Sequence, residues 1–277
     1  MMEKFKAAGR CIYDDGQGDH NGPFTNEHII PFGLLPKGID WYLPEASCAN
    51  CQDVTKRFEG SCLEGTYEIL RAHLDLKTRR KKKRKLPSKS IIKKADGSLK
   101  ITEKPKLELP RAWLGFRWPS PGLLRGQPKA ETNFDGELVL RMPVGELDKH
   151  VQDGEGMRLG SVRILDHAKM LAKIAHTYAY GKCGHEKFEP MLLDLILGRN
   201  EFAPYLVGGD PRGHPGPQPG VLHDIYPMTI GVHDTKYLSV VIRLFAFLDT
   251  PSYVIIVGKQ LKDLDFPPAS PGTHTIS

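Results

Sequence analysis

No stretch of this 277-residue chain approaches the run of about 18 apolar residues that spans a bilayer as a helix. The first fifteen residues, MMEKFKAAGRCIYDD, also lack the apolar segment of a secretory signal. Cysteine is scarce and odd in number, five in all, with Cys48 and Cys51 forming a single CxxC pair. That count argues against a disulfide framework and for a reducing compartment. No internal repeat is visible, and residues 106–265 carry no nucleophile motif, phosphate-binding loop or paired-carboxylate motif. The expectation is a cytoplasmic protein without a membrane partner. Apolar residues make up 40% of the chain, enough for a substantial core, and the length suits about two domains.

The net charge of +6 is unevenly spread. Lys77, Arg79, Arg80, Lys81, Lys82, Lys83, Arg84 and Lys85 place eight cations in nine positions, so the rest of the chain carries −2, the difference between +6 and +8. A block of like charge repels itself and stays solvated until it meets an anion. Phosphate backbones are the natural partner, because neutralising each phosphate releases a counterion. These eight residues are the candidate nucleic-acid contacts.

Composition divides the chain into four segments. Residues 1–75 hold four of the five cysteines, and residues 76–105 read as a basic linker or exposed hairpin around the turn Asp96-Gly97. Residues 106–265 form a second α+β domain, and residues 266–277 read as a frayed tail. Within the first segment, Arg10–Tyr13 and Glu27–Ile30 are β-prone, and 50–74 has helical spacing interrupted at Gly60 and Gly65. The second predicts helices over 165–180 and 190–197. Strands are predicted over 113–118, 137–143, 228–232, 238–248 and 253–257, with a Gly/Pro-rich loop over 208–220. The fold class is α+β with mostly antiparallel pairing.

Two clusters carry chemistry. Cys48 and Cys51 can each give a thiolate to one tetrahedral zinc ion, and Cys11 is a candidate for one of the two further ligands. Asp14, three residues after Cys11, stands where a second cysteine would be usual; His20 and Cys62 are the other candidates for the fourth position. Glu27-His28 lies about twenty residues before the CxxC. An imidazole titrates near neutral pH and suits proton abstraction from water. A neighbouring carboxylate suits a hard cation such as Mg²⁺, which stabilises charge at a scissile phosphate. Glu59 is expected to pair with Lys56 or Arg57 on the surface, with a place beside the metal as the alternative. His167, His176, Cys183, His185, His223 and His233 have no ligand-like spacing and are expected in core or surface roles.

The run Thr25-Asn26-Glu27-His28-Ile29-Ile30-Pro31, followed by Ala46-Ser47-Cys48 and Cys51, resembles the HNH endonuclease family, in its subgroup with an EHIIP signature and a zinc knuckle. The resemblance covers about residues 9–60. It implies an N-terminal ββα-metal core braced by a structural Zn²⁺ on Cys11, Cys48 and Cys51, with Asp14 at the remaining knuckle position. It implies His28 as general base and Glu27 as ligand of a catalytic divalent ion, Mg²⁺ or another. The family's final metal ligand falls on Gln52, with Asp53 adjacent. Its middle residue, commonly an asparagine that orients the histidine, falls by spacing on Leu43, with Asp40 as the substitute if the loop is longer. The function implied is metal-dependent hydrolysis of phosphodiester bonds in DNA. The departures at positions 14, 43 and 52 imply the alternative, a nucleic-acid-binding protein that kept the scaffold and lost catalysis. A third possibility puts the function in residues 106–265, with a zinc-braced N-terminal accessory.

Overall fold

The computed structural model describes residues 4–16, 19–79, 87–129, 132–150, 156–159, 163–213, 216–264, 266 and 273–275. Arg80–Lys85, six of the eight cations of the basic run, lie outside the described residues.

The N-terminal segment is built in the order strand, strand, helix. β1 (Thr25–His28) pairs antiparallel with β2 (Tyr42–Ser47), and α1 (Ala49–Ser61) follows directly. The step of two positions from Thr25 to Glu27 on β1 is matched by a step of four from Ser47 to Leu43 on β2. The extra residues include Glu45 in a left-handed conformation (φ 48°), which bends β2 toward the cysteines. The helical periodicity of 50–74 breaks into α1, a wide turn over Cys62–Thr66, and α2 (Glu68–His73). Gly60 stands in the last turn of α1 and Gly65 in the break itself, and each glycine weakens a helix by about 1 kcal/mol. Arg10–Tyr13 is not a strand. It forms a turn whose Ile12 N–H donates to the Ala46 carbonyl at 2.8 Å, and the turn carries Cys11 back toward Cys48.

The segment after the basic run contains a hairpin, β3 (Ser88–Lys93) with β4 (Leu99–Lys104), turning at Asp96-Gly97. β5 (Trp113–Arg117) pairs with β6 (Glu137–Arg141), and β7 (Gly156–Leu159) adds to β3, giving the order β4-β3-β7. α3 (Ile164–Cys183) spans the predicted helix and one more turn. Of the helix expected over 190–197, only α4 (Leu193–Ile196) forms. Pro190 instead ends β8 (Phe188–Pro190), and the Met191 N–H donates to the Val257 carbonyl at 2.9 Å. α5 (Ala203–Leu206) leads into β9 (Val207–Gly209).

The C-terminal sheet contains β10 (Val221–Val232), β11 (Thr235–Leu244), β12 (Tyr253–Gln260) and β13 (Thr273–Thr275). Its order is β13-β10-β11-β12-β8, with β9 also on β12, antiparallel throughout. The strand expected over 238–248 stops at Leu244, because Phe245 (φ 58°) turns the chain. Thr273–Thr275, expected in a frayed tail, pair with β10. The α+β class with antiparallel sheets is therefore the observed one.

One hydrophobic core runs from Cys11 to Val257 through both the N-terminal and C-terminal segments. α3 is its axis, packing on α1 on one side and on β11 and β12 on the other. It is buried on nearly every face from His167 to Tyr180, as a helix enclosed by other elements must be. Its few polar side chains reach outward to fix the N-terminal segment. The His176 Nε2–H donates to the Ile12 carbonyl at 2.7 Å, and His167 Nδ1 meets the Tyr67 hydroxyl at 3.1 Å.

Candidate metal centre and adjoining cavity

The cysteine cluster is assembled by three local structures. The Arg10–Tyr13 turn brings Cys11, the loop before β1 brings His20, and the N-terminal end of α1 brings Cys48 and Cys51 one helical turn apart. The four ligand atoms lie within 4.8 Å of one another. Cys11 Sγ is 3.7 Å from Cys48 Sγ, and His20 Nδ1 is 3.7 Å from Cys48 Sγ and 3.4 Å from Cys51 Sγ. A tetrahedral ion about 2.3 Å from each sulfur and about 2.0–2.1 Å from nitrogen separates its ligands by about 3.5–3.8 Å. These three edges are close to those values, and the cluster could hold a metal ion such as zinc. All three thiols are buried. Cys11 is drawn down to about 5, first by its hydrogen bond with Cys51, and Cys51 is pushed up by the same contact. Ionising a second thiol beside a first costs charge repulsion, which a bound divalent cation would relieve.

His20 therefore takes the fourth place, not Asp14. The Asp14 carboxylate is tied to the Gly16 N–H at 2.9 Å and to Arg10 at 3.4 Å. Cys62 is buried apart from the cluster, pushed up by burial to beyond the range in which it ionises. Behind His20, Nε2 faces Asp15 at 3.9 Å, and Asp15 is bound by Arg199. A carboxylate on the outer nitrogen of a ligating histidine fixes its ring.

On the other side of the hairpin is a cavity of about 430 Å³ whose wall includes Glu27, His28, Gln52, Glu59 and Arg79. Lys173, fully buried on α3, lies behind the wall residues Glu27 and Glu59. Its ammonium lies 2.7 Å from Glu27 Oε1 and 2.9 Å from Glu59 Oε1, and it donates to the His28 carbonyl. Burial alone would push the ammonium down, but the two carboxylates hold it above its ordinary value. Burial raises Glu59, and Lys173 opposes that rise. Glu59 thus faces inward and bonds across the fold, not to Lys56 or Arg57 on the surface. Glu27 Oε2 is buried with no hydrogen-bond partner among the described residues. Such an oxygen carries a desolvation cost of about 1–3 kcal/mol or more unless a water or cation meets it.

His28 is lowered to about 4, first by burial and then by the charges of Lys173 and Arg79. Its ring is therefore neutral at physiological pH. Phe32 and Tyr42 hold it edge-on at 5.5 and 6.2 Å between ring centres. Gln52 lines the cavity and donates its amide N–H to Thr25 Oγ1 at 3.0 Å, which leaves its carbonyl oxygen for another partner. Asp53 points away, exposed, and pairs with Lys56 at 3.3 Å. Leu43 sits opposite Glu27 in the hairpin and is core. Asp40 is exposed and bound by Lys77, which holds its carboxyl below the usual range. Lys77 itself is mostly buried, bonded to Asp40 and the Ile39 carbonyl, with its ammonium 4.8 Å from the Phe32 ring centre. It braces the loop and is not a solvated phosphate contact. Arg79 is exposed over the same ring and reaches the cavity.

The cavity wall is stiffened by Arg71. Its guanidinium donates to the carbonyls of Gly33 at 2.6 Å, Leu63 at 2.9 Å and Lys77 at 3.0 Å. A Cβ on Gly33 would stand 2.6 Å from Arg71 Nη2, so only glycine allows this approach. Lys173 and Arg71 are the site residues that sequence reasoning missed. A lysine within the otherwise apolar stretch Met170–Ala175 is the one signal that marked Lys173. Among the described residues no helix is long and apolar enough to cross a membrane. Comparison of the chain with family models, curated proteins and solved structures finds no match in any of the three.

Proposed function

We propose that this protein is a metal-dependent endonuclease of the HNH type, hydrolysing phosphodiester bonds in DNA at the cavity beside β1. The observation that carries the reading is the pairing of a half-buried imidazole, His28, with an unpartnered carboxylate oxygen on the preceding residue, Glu27 Oε2, in one cavity wall. Both stand on a β-hairpin followed by a helix, the order of a ββα-metal core, with a Cys₃His cluster bracing the outer side.

The donor set fits a hard divalent cation such as Mg²⁺. Glu27 and Glu59 supply carboxylate oxygens and Gln52 an amide oxygen at the same cavity. Lys173 offsets one of the two negative charges, so the trio keeps a net charge of −1 for an ion to meet. When bound, the ion supplies electrostatic stabilisation of the phosphate and leaving oxygen. The chain supplies the rest. His28, kept neutral by burial and by Lys173, accepts the proton of the attacking water. Lys173 and Arg71 keep the wall rigid, and Arg79 offers a cation to the phosphate.

The test is cleavage of supercoiled plasmid in Mg²⁺ or Mn²⁺ by wild type and His28→Ala. The expected loss is about 10²–10⁴-fold. Equal cleavage by both, or none by either in any divalent ion, overturns the proposal.

One observation favours a second reading, a nucleic-acid-binding protein without catalysis. The Lys173 ammonium already bridges Glu27 and Glu59, as a bound cation would. That reading expects salt-dependent DNA binding that His28→Ala leaves unchanged, with no cleavage by the wild type. Absence of a gel shift at low salt rules it out.

A further inference from the structure

We propose that the sheet β4-β3-β7 is a docking arm that holds the phosphate backbone of duplex DNA through Lys93, Lys94 and Lys100. It builds on the nuclease reading only in taking DNA as the polyanion. Residues 77–104 carry thirteen Lys and Arg against Asp96 and Glu103, a net charge of +11. The other 249 residues together carry −5, the difference between +6 and +11. The chain's positive charge is therefore concentrated in the basic run and the hairpin that follows it.

The hairpin presents that charge to solvent. Lys93, Lys94 and Lys100 are exposed, and none has an acidic partner among the described residues. Gly97 (φ 82°) closes a tight turn, with the Lys94 N–H donating to the Ser98 carbonyl at 2.9 Å. Directly paired residues of an antiparallel ladder share a face. Lys93 therefore shares one face with Leu99, and Lys100 shares the other with Ile92. Lys94 stands at the turn between them, so cations flank the tip on both sides.

Leu99 and Ile101 are each 68% exposed on β4, an edge strand. An apolar edge invites another strand, but lysines along it oppose pairing with a second copy carrying the same charge. A polyanion meets no such opposition. The lysine stems and the aliphatic pair then cover sugar surface while the ammonium groups reach phosphates.

The arm starts at the cavity. Ser88, paired with Lys104 at its base, donates to Glu68 Oε2 at 3.1 Å, and Lys106 binds Glu68 Oε1 at 3.0 Å. Glu68 and Lys106 both line the cavity wall. Six residues of strand carry the tip about 20 Å from that rim. At about 3.4 Å per phosphate along one strand, the tip lysines meet the backbone about six nucleotides from the bond in the cavity.

The experiment measures fluorescence anisotropy of a labelled 20-base-pair duplex of arbitrary sequence across a salt series. Wild type is compared with the triple variant Lys93→Gln, Lys94→Gln, Lys100→Gln. The control triple, Lys236→Gln, Lys259→Gln, Lys262→Gln, removes equal charge elsewhere, and circular dichroism checks folding of each. Each phosphate contact contributes about 0.9 to the slope of log K against log salt. The expected result is a slope smaller by about 2–3 and at least tenfold weaker binding in the hairpin variant, with the control near wild type. An unchanged slope, an equal loss in the control, absence of wild-type duplex binding, or tighter binding of a single-stranded 20-mer overturns the proposal. Hydrolysis of bis(p-nitrophenyl) phosphate reports the cavity alone. Its absence in wild type counts against the nuclease reading while the slope still decides the arm.

Discussion

At the scale of single residues, Lys173 ties together the charges behind Glu27, His28 and Glu59. One buried ammonium neutralises part of two buried carboxylates, holds the His28 carbonyl, and places a positive charge near the imidazole. Removing one member of a buried pair strands the others, at a cost of about 3–5 kcal/mol. Lys173→Met is therefore expected to lower stability by that amount in urea denaturation. Adding Glu59→Gln recovers part of it, because fewer stranded charges remain. The same ammonium depresses His28, so proton NMR is expected to follow the His28 ring titrating near pH 4 in the wild type. Its midpoint moves upward in the Lys173→Met, Glu59→Gln double variant. A wild-type ring that titrates like a free imidazole would mean that His28 is neither desolvated nor within reach of the Lys173 charge.

At the scale of elements, the Arg10–Tyr13 turn, the loop before β1 and the start of α1 each contribute ligand atoms that lie far apart in sequence. Their convergence makes the hairpin and helix one unit, and a metal ion at Cys11, His20, Cys48 and Cys51 would tie them together. His20→Ala is expected to lose bound metal in elemental analysis of the purified protein, while Asp14→Ala retains the wild-type content. Chelation is expected to lower the Tm of wild type and of Asp14→Ala alike and to leave His20→Ala little changed. Equal metal content in the two variants contradicts the choice of His20 as ligand.

At the scale of the whole molecule, the histidines of α3 add to His28 in the response to acid. His167 and His176 are fully buried on it, lowered by burial to about 3 and about 4. Unfolded histidine titrates near 6.5. Between about pH 6.5 and 4 the unfolded chain binds protons that the native protein refuses, so stability falls as pH falls. Each tenfold difference in proton affinity between the folded and unfolded chain is worth about 1.4 kcal/mol per histidine. Asp224, raised to about 6 by burial, acts the other way and offsets only part of the loss. Calorimetry from pH 7 to pH 4.5 is expected to show a Tm that drops steadily, reflecting a net loss of a few kcal/mol. A flat profile contradicts the buried, neutral state of these two histidines.

The α+β class, the long helix near 165–180, the C-terminal strands and the CxxC pair were all legible in the sequence. Each rests on local periodicity or on residues a few positions apart, where chain geometry leaves little choice. Glu27 and His28 were legible as a chemical pair for the same reason. The fourth ligand was not, because His20, Asp14 and Cys62 differ in where their backbone carries them and not in their capacity to bind. Lys173 and Glu59 were less legible still, since Lys173 meets His28 across 145 positions of chain. The buried direction of Glu59 exists only because α3 packs against α1. Sequence alone determined which chemistries are present and the strongly periodic elements, the long helix and the main C-terminal strands, but not the turn at Arg10–Tyr13 or the break at Pro190. Tertiary structure decided which charges share one low-dielectric space, because that depends on the packing of elements that no local pattern encodes.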